Sequence, residues 1–366
     1  MKQTLDYSNP KLLVDTGDLN PGSLAWKSPS NIALVKYWGK HGIQLPRNPS
    51  ISFTLDVAHT ETHLSYAART PGANVPIELE LYFHKERNQA FEKRTIQFFE
   101  SLLPVFPFLK QLKMRIDTTN SFPHSAGIAS SASGMSALAL CLCDLENRLF
   151  GTLSETVAFR QKASYISRLG SGSACRSVYG GSVLWGDYPA VEGSSDLYAI
   201  PVNEGLHEVF DTFHDDILLI SRNEKSVSST AGHALMEGNT YANPRYQSAR
   251  QNLHHLLQAM ETGDLEVFGR IVEQEALTLH ALMMTSHPAY ILMEPNSLTA
   301  IRRIWDFRAQ TKVPLYFTLD AGPNLHLLYP DAYHQEVNQF IEDRLLELCE
   351  GQQRIADQVG EGSIAL

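Results

Sequence analysis

No stretch of the 366-residue chain approaches the roughly 18 consecutive apolar residues that a bilayer-spanning helix needs. The opening MKQTLDYSNPKLL lacks the apolar core of a secretory signal, so the expectation is a soluble, intracellular protein of the cytoplasm. Cysteine is scarce. Of four, Cys141 and Cys143 would point to nearly opposite faces of a helix and Cys175 and Cys349 stand alone, which excludes a disulfide framework and a zinc pattern. Positive charge is in deficit: 30 Lys+Arg against 40 Asp+Glu leave a net charge of −10. General binding to nucleic acid or an anionic membrane needs surplus cations, so any phosphate site must be a local basic cluster. His254, His255, His280, His287 and His326 show no ligand spacing, and no H-E-x-x-H is present. Satisfied or surface histidines are the plainer reading.

What remains is ordinary globular composition, 43% hydrophobic and 19% charged, in a chain long enough for about two domains. Segments of strand and helix period alternate, as in a mixed α/β protein. Ile32–Val35, Ile51–Leu55 and Glu78–Phe83 read as strands, and helices are predicted over Ala90–Leu103 and from about Ser133 to Leu149. Gly180 to Pro201 reads as strands and turns, and the Pro201–Gly205 stretch sets a boundary between domains 1–205 and 206–366. The second domain opens on Asp216–Ile220. Apolar spacings around Leu253–Met260 and Leu265–Leu279, broken at Gly263-Asp264, predict two antiparallel helices. Leu315–Leu319 and Leu325–Leu328 flank Ala321-Gly-Pro-Asn324 as a hairpin, and a final amphipathic helix is predicted over Ala332–Glu350.

Five segments could carry chemistry. Asn120 to Gly134 is dense in Ser, Ala and Gly and runs straight into an apolar helix. Such a loop lets backbone N–H groups approach a phosphate, with the positive end of the helix behind it. Ser130, Ser131 and Ser133 could add donors or a magnesium ligand. A Ser-rich turn that merely caps the helix is the plainer reading, and no Gly-Lys-Ser/Thr closes a Walker loop. Gly170-Ser-Gly-Ser-Ala-Cys-Arg-Ser177 offers Arg176, whose planar guanidinium matches a carboxylate or phosphate. Asn223–Gly232 is hydroxyl-rich but weak alone. Lys36-Tyr-Trp-Gly-Lys40 places two ammonium groups four residues apart, with Arg47 downstream. Asp320, in Thr318-Leu-Asp-Ala-Gly-Pro-Asn324, is either a turn cap or a catalytic carboxylate at a strand end.

Taken in order, these blocks resemble the diphosphomevalonate decarboxylase family of the GHMP small-molecule kinase superfamily. The matching residues are Ser28–Lys40, Asn48–Ser52, Phe122–Ala132, Ser171–Arg176, Val227–Thr230 and Phe317–Asn324, spread over most of the chain. The resemblance implies an α+β GHMP kinase fold: an N-terminal domain like ribosomal protein S5 domain 2, and a ferredoxin-like C-terminal domain, usually as a homodimer. It implies ATP and Mg²⁺, and phosphorylation of the C3 hydroxyl of mevalonate 5-diphosphate. Loss of that phosphate and of CO2 then gives isopentenyl diphosphate.

Carried across by residue, the resemblance makes Asp320, Arg176 and Lys36 catalytic. Asp320 would position or deprotonate the C3 hydroxyl, Arg176 would hold the substrate carboxylate, and Lys36 would sit beside the reacting groups. Substrate would be lined by Tyr37, Trp38, Gly39 and Lys40, by Ser171, Gly172, Ser173, Ala174 and Cys175 along with Arg176, and by Ser229 and Thr230. The ATP phosphates would fall to Ser125, Ala126, Gly127, Ile128, Ala129, Ser130, Ser131 and Ser133, with Ser131 or its neighbour Ser130 on magnesium.

The chain departs from relatives at Phe122-Pro-His-Ser125, at Ile128, and at Glu80, where they commonly carry an Arg for the substrate diphosphate. Lys85 and Arg87 are the next basic candidates. A 5-monophosphate decarboxylase is therefore the nearest rival. A mevalonate 3-kinase should lack Asp320 or Lys36, and a non-catalytic nucleotide-binding protein would not keep every charged residue of the site.

Overall fold

Strand β1 (Gly22–Ala33) and the long β4 (Ser50–Ala68) frame the first half of the molecule. The computed structural model describes residues 5–123, 130–223 and 227–366. From Ala58 to Leu64 the even residues of β4 are buried and the odd ones turn outward, the two-residue period of a sheet with one covered face. Its first six residues are all buried, because both faces are covered there. Between β1 and β4 lies a small hairpin of β2 (Lys40–His41) and β3 (Leu45–Pro46). The sheet continues through β5 (Glu78–Phe83), β6 (Glu86–Arg87) and β7 (Leu112–Asn120), in which β5 and β7 run parallel. β8 (Ser182–Trp185) pairs with the start of β4, and β9 (Ala199–Pro201) with β8. Helices α1 (Gln89–Ser101), α2 (Ser130–Phe150) and α3 (Thr156–Gly170) contribute Phe99, Leu140, Cys141 and Ile166 to the core against this sheet.

A second, antiparallel sheet begins at β10 (Phe213–Leu218) and includes β11 (Tyr316–Thr318), β12 (Leu325–Pro330) and β13 (Arg354–Ile355). Phe317 lies opposite Leu327, so the Asp-Ala-Gly-Pro-Asn turn joins a hairpin, as the sequence predicts. The helices here are α4 (Ser229–Ala234), α5 (Ala242–Thr262), α6 (Leu265–Met284), α7 (Pro295–Thr311) and α8 (His334–Phe340). Gly263 ends α5 in a left-handed conformation (φ 73°), and Asp264 caps α6 by accepting from the Val267 amide. The two sheets share one apolar core. Ile32, Ile51 and Phe53 from the first pack with Phe210, Phe213 and Phe268 around the second. Phe268 stands 5.0 Å from Phe210 and 5.2 Å from Phe213, centroid to centroid. The last strand, β14 (Ile364–Ala365), returns to pair with β1.

Some elements differ from expectation. β1 starts ten residues before Ile32 and ends at Ala33, so Leu34 and Val35 lie beyond it. The described part of α2 already includes Ser130, ahead of the expected Ser133, and α3 and α7 had no reading in the sequence. The final helix is not regular: α8 stops at Phe340 and passes through a π turn (Ile341–Leu345) into a 3₁₀ turn (Leu346–Leu348). Its buried residues Val337, Ile341 and Leu345 recur every four positions, slower than an α-helix turns, and the wider turn keeps them facing the core. All four cysteines are free and buried. Because Phe268 is fully buried and packs on the rings of Phe53, Phe210, Phe213 and Tyr316, Phe268→Ala should cost about 3–5 kcal/mol, read as a lowered denaturant midpoint by circular dichroism.

Candidate active site

Where β1 ends, the chain turns through Leu34 and Val35, both fully buried, and delivers Lys36 into the space between the two sheets. Lys36 Nζ donates to Asp320 Oδ1 at 2.8 Å. The lysine is 2% exposed and the aspartate 30%, so the pair is closed on one side and open on the other. Burial lowers the Lys36 pKa, while Asp320, and more weakly Glu275, oppose the shift. Asp320 stands two residues past the end of β11, and its main-chain oxygen accepts from His280 Nε2 at 3.1 Å. The Lys36 amide donates to Glu275 at 2.8 Å, and its carbonyl accepts from Asn48 at 3.1 Å.

Arg176 lies in a 3₁₀ segment (Gly172–Val178) just after α3. It is 2% exposed, and its Nε donates to Asn31 at 3.2 Å while Nη1 donates to Ser50. Asn31 in turn donates to Ser177 Oγ at 2.7 Å and to the Ser173 carbonyl at 3.2 Å. The Ser28–Lys40 and Asn48–Ser52 blocks therefore supply residues that hold Arg176 still. Its guanidinium carbon stands 6.0 Å from the Tyr37 ring centroid. Burial lowers the Arg176 pKa, with Cys175, Tyr37 and Asp320 opposing.

A third group gathers around Lys40. His233, on α4, accepts the Gly39 amide on Nδ1 at 2.8 Å and lies between the rings of Tyr37 (4.7 Å) and Trp38 (4.3 Å). Gly39 has φ 103°, a conformation open to glycine and strained for other residues. Burial, and then Lys40, push the His233 pKa well below its ordinary value, so the ring is neutral at pH 7 with its proton on Nε2. Burial also brings Lys40 down to about 8. Gly39, Lys40, Arg47, Thr230, His233 and Tyr246 line a cleft of about 740 Å³.

The structure thus brings Lys36, Arg176 and Asp320 together, and Lys40 together with Thr230. Ser131, exposed in the first turn of α2, reaches Ser171 Oγ at 3.4 Å, which joins the start of that helix to the Ser171–Arg176 block. Other expectations need correcting. Ser133 is fully buried with its hydroxyl 2.7 Å from Thr60, so it does not face an ATP phosphate. Ala174 and Cys175 are also fully buried, and the Cys175 thiol donates to the Gly172 carbonyl, so neither side chain lines a substrate site. Trp38 is largely buried and packs against His233. Ser125, Ala126, Gly127, Ile128 and Ala129 lie outside the described residues, as do 224–226 of the hydroxyl-rich block; Ser229 sits in the first turn of α4. Glu80 accepts from the Tyr82 hydroxyl at 3.3 Å on β5, with β7 and β4 between it and β1. Lys85 is exposed, and Arg87 is paired with Glu92 at 3.0 Å. Asn31, Asn48, Ser50, His233, Glu275 and His280 had no assigned role in the sequence. Of these, Asn31, Asn48 and Ser50 lie inside the matched blocks, and that was their only signal.

Residues 28–196 match the model of the diphosphomevalonate decarboxylase-like N-terminal domain, and residues 217–362 that of the mevalonate 5-diphosphate decarboxylase C-terminal domain. Among solved structures, mevalonate diphosphate decarboxylase from Staphylococcus aureus is similar at 26% identity and a TM-score of 0.79, over 95% of this chain and 98% of that one. A structure described as MDDEF in complex with MVAPP, AMPPCP and magnesium aligns at 27% identity and a TM-score of 0.78, over 95% and 99% of the two chains. The architecture is therefore the two-domain α+β fold of the GHMP kinase type. Diphosphomevalonate decarboxylase of Aspergillus fumigatus is 32% identical over 82% of this chain and 75% of its own. The chain belongs to the diphosphomevalonate decarboxylase family.

A Cβ on Gly172 would lie 2.7 Å from the Tyr37 hydroxyl and 2.8 Å from the Trp185 ring. Gly172→Ala should therefore displace Tyr37, altering near-UV circular dichroism and lowering stability by about 1–3 kcal/mol.

Proposed function

We propose that this protein catalyses the ATP-dependent decarboxylation of mevalonate 5-diphosphate to isopentenyl diphosphate, releasing ADP, phosphate and CO2. The observation that carries the reading is the 2.8 Å Lys36–Asp320 pair, open on its aspartate side. Arg176 is close enough for its charge to act on both members of that pair. Relatives named for this activity, and a similar protein solved with MVAPP, AMPPCP and magnesium, support it.

In this reading Asp320 orients the C3 hydroxyl and takes its proton as the oxygen bonds to the γ-phosphorus of ATP and ADP departs. The C3–O bond then breaks with the phosphate, and the electrons of the bond to the carboxylate become the new double bond as CO2 leaves. Lys36 keeps Asp320 ionised and in place, and Arg176 holds the substrate carboxylate against C3. Positioning and charge compensation of this kind supply most of the acceleration in phosphoryl transfer. Tyr37, Lys40, Ser171, Ser173 and Thr230 form the diphosphate side, and the start of α2 receives the ATP phosphates. The exposed Ser131 hydroxyl fits a magnesium ion, which takes few protein oxygens and keeps its waters. When bound, that ion offsets charge on the phosphoryl oxygens. Residues 1–205 and 206–366 act as two domains, and the working form is a cytoplasmic homodimer, both resting on the family resemblance. No described helix is long and apolar enough to cross a membrane.

With ATP and Mg²⁺, the purified protein should release ADP and CO2 in equal amounts from mevalonate 5-diphosphate, in preference to the 5-phosphate or mevalonate. ADP without CO2, or preference for the monophosphate, would overturn the reading. A pH dependence should accompany it. Lys40 is charged below about 8 and loses its proton above it, so KM for the diphosphate should rise as pH passes that value while kcat holds. Lys40→Arg should move the rise to higher pH.

A further inference from the structure

Helix α6 touches both members of the Lys36–Asp320 pair through their main chains. Glu275, in the middle of the helix, is wholly buried, and its Oε2 accepts the Lys36 amide at 2.8 Å. The same oxygen accepts from Arg245 Nη2 at 2.5 Å, and Oε1 accepts from Asn252 Nδ2 at 2.7 Å, both donors belonging to α5. His280, five residues further along α6, donates from Nε2 to the Asp320 carbonyl at 3.1 Å. Five residues of helix rise about 7.5 Å, so two rigidly spaced side chains grip the segments that follow two strands from different sheets.

We propose that Glu275 is a positioning residue for the reaction: with His280 as its counterpart, it sets the main chain of Lys36 so that the ammonium group meets Asp320. This rests on the decarboxylase reading above. A buried carboxylate is costly unless its oxygens are matched by donors, and three donors from two other elements meet this one. A link between α5 and α6 alone would need only Arg245 and Asn252. The third bond runs to the main chain of Lys36, 239 residues away in sequence. Glu275 also acts on Lys36 through its charge. The groups facing Lys36 are Asp320 and Glu275, which favour its protonated form, and Arg176, which opposes it.

The test compares wild type with Glu275→Gln and His280→Asn in the full-length protein. Glu275→Gln keeps the size of the side chain but removes its charge. A misplacement of about 1 Å away from the chemistry can cost ~10²-fold, so kcat for CO2 release should fall by about that factor while KM for ATP stays nearly constant. The alkaline limb of kcat should move to lower pH, since Lys36 then loses its proton more easily. Glu275→Asp, which keeps the charge, should restore the position of the limb. His280→Asn should lower kcat without moving the limb, and it stands in if Glu275→Gln does not fold.

A readout independent of turnover is the ¹³Cε-lysine NMR titration of substrate-free protein, in which Lys36 should titrate at lower pH in Glu275→Gln than in wild type. Folded variants with wild-type kcat, an unmoved limb and an unmoved Lys36 titration would overturn the proposal. Wild type that releases no CO2, yet shows the Lys36 shift on substitution, would instead overturn the decarboxylase reading and leave the role of Glu275 toward Lys36 standing.

Discussion

Everything at this site depends on one half-buried contact, the ion pair between Lys36 and Asp320, whose members are 284 residues apart in sequence. Taking a lysine out of water is expensive, and the cost is offset only where a carboxylate and further donors are held in register. The fold meets that demand by bringing together the segments that follow β1 and β11, with α6 gripping the main chain of both. The apolar core shared by the two sheets is then a functional feature as well as a stabilising one. If the sheets shifted by an ångström, Phe53, Phe213 and Phe268 would lose their packing and the ion pair its geometry together.

Charge is distributed to the same end. The molecule carries a net charge of −10, yet Lys36 and Arg176 meet beside Asp320, whose carboxylate opens to solvent, and Lys40 lines a neighbouring cleft. His233, neutral at pH 7, packs between Tyr37 and Trp38 and holds the Gly39 amide, so it shapes the loop without adding to the charge. Two substrates that are both polyanions repel each other, and a cluster of fixed cations on an acidic protein draws them in locally without conferring general affinity for phosphate polymers.

Much of this was legible in the residues. The Lys-Tyr-Trp-Gly-Lys, Ser-Gly-Ser-Ala-Cys-Arg and Asp-Ala-Gly-Pro-Asn blocks singled out Lys36, Arg176 and Asp320 only through the family resemblance they carry together, whereas the hairpin around Asp320 followed from turn chemistry. Strand Glu78–Phe83 emerged with its limits as read, because alternation and β-branched or aromatic content agree there. What stayed hidden depends on distance in sequence. Nothing local marks Glu275 or His280, since a Glu or His on an amphipathic helix looks the same whether it meets solvent or another strand's backbone. Ser133 and Cys175 misled for the opposite reason: each sits inside a block matched by the family resemblance, but the helical twist turns its side chain into the core. The π turn after Phe340 was invisible because helix period alone predicts a regular helix.

The most direct measurement is steady-state turnover of Asp320→Asn beside equilibrium binding of ATP and mevalonate 5-diphosphate. Loss of a positioned base costs about 10²–10⁴-fold, so the account predicts a fall in kcat of that size for both ADP and CO2, with both dissociation constants within a few-fold of wild type. Full turnover by an Asp320→Asn protein that binds both substrates normally would contradict it.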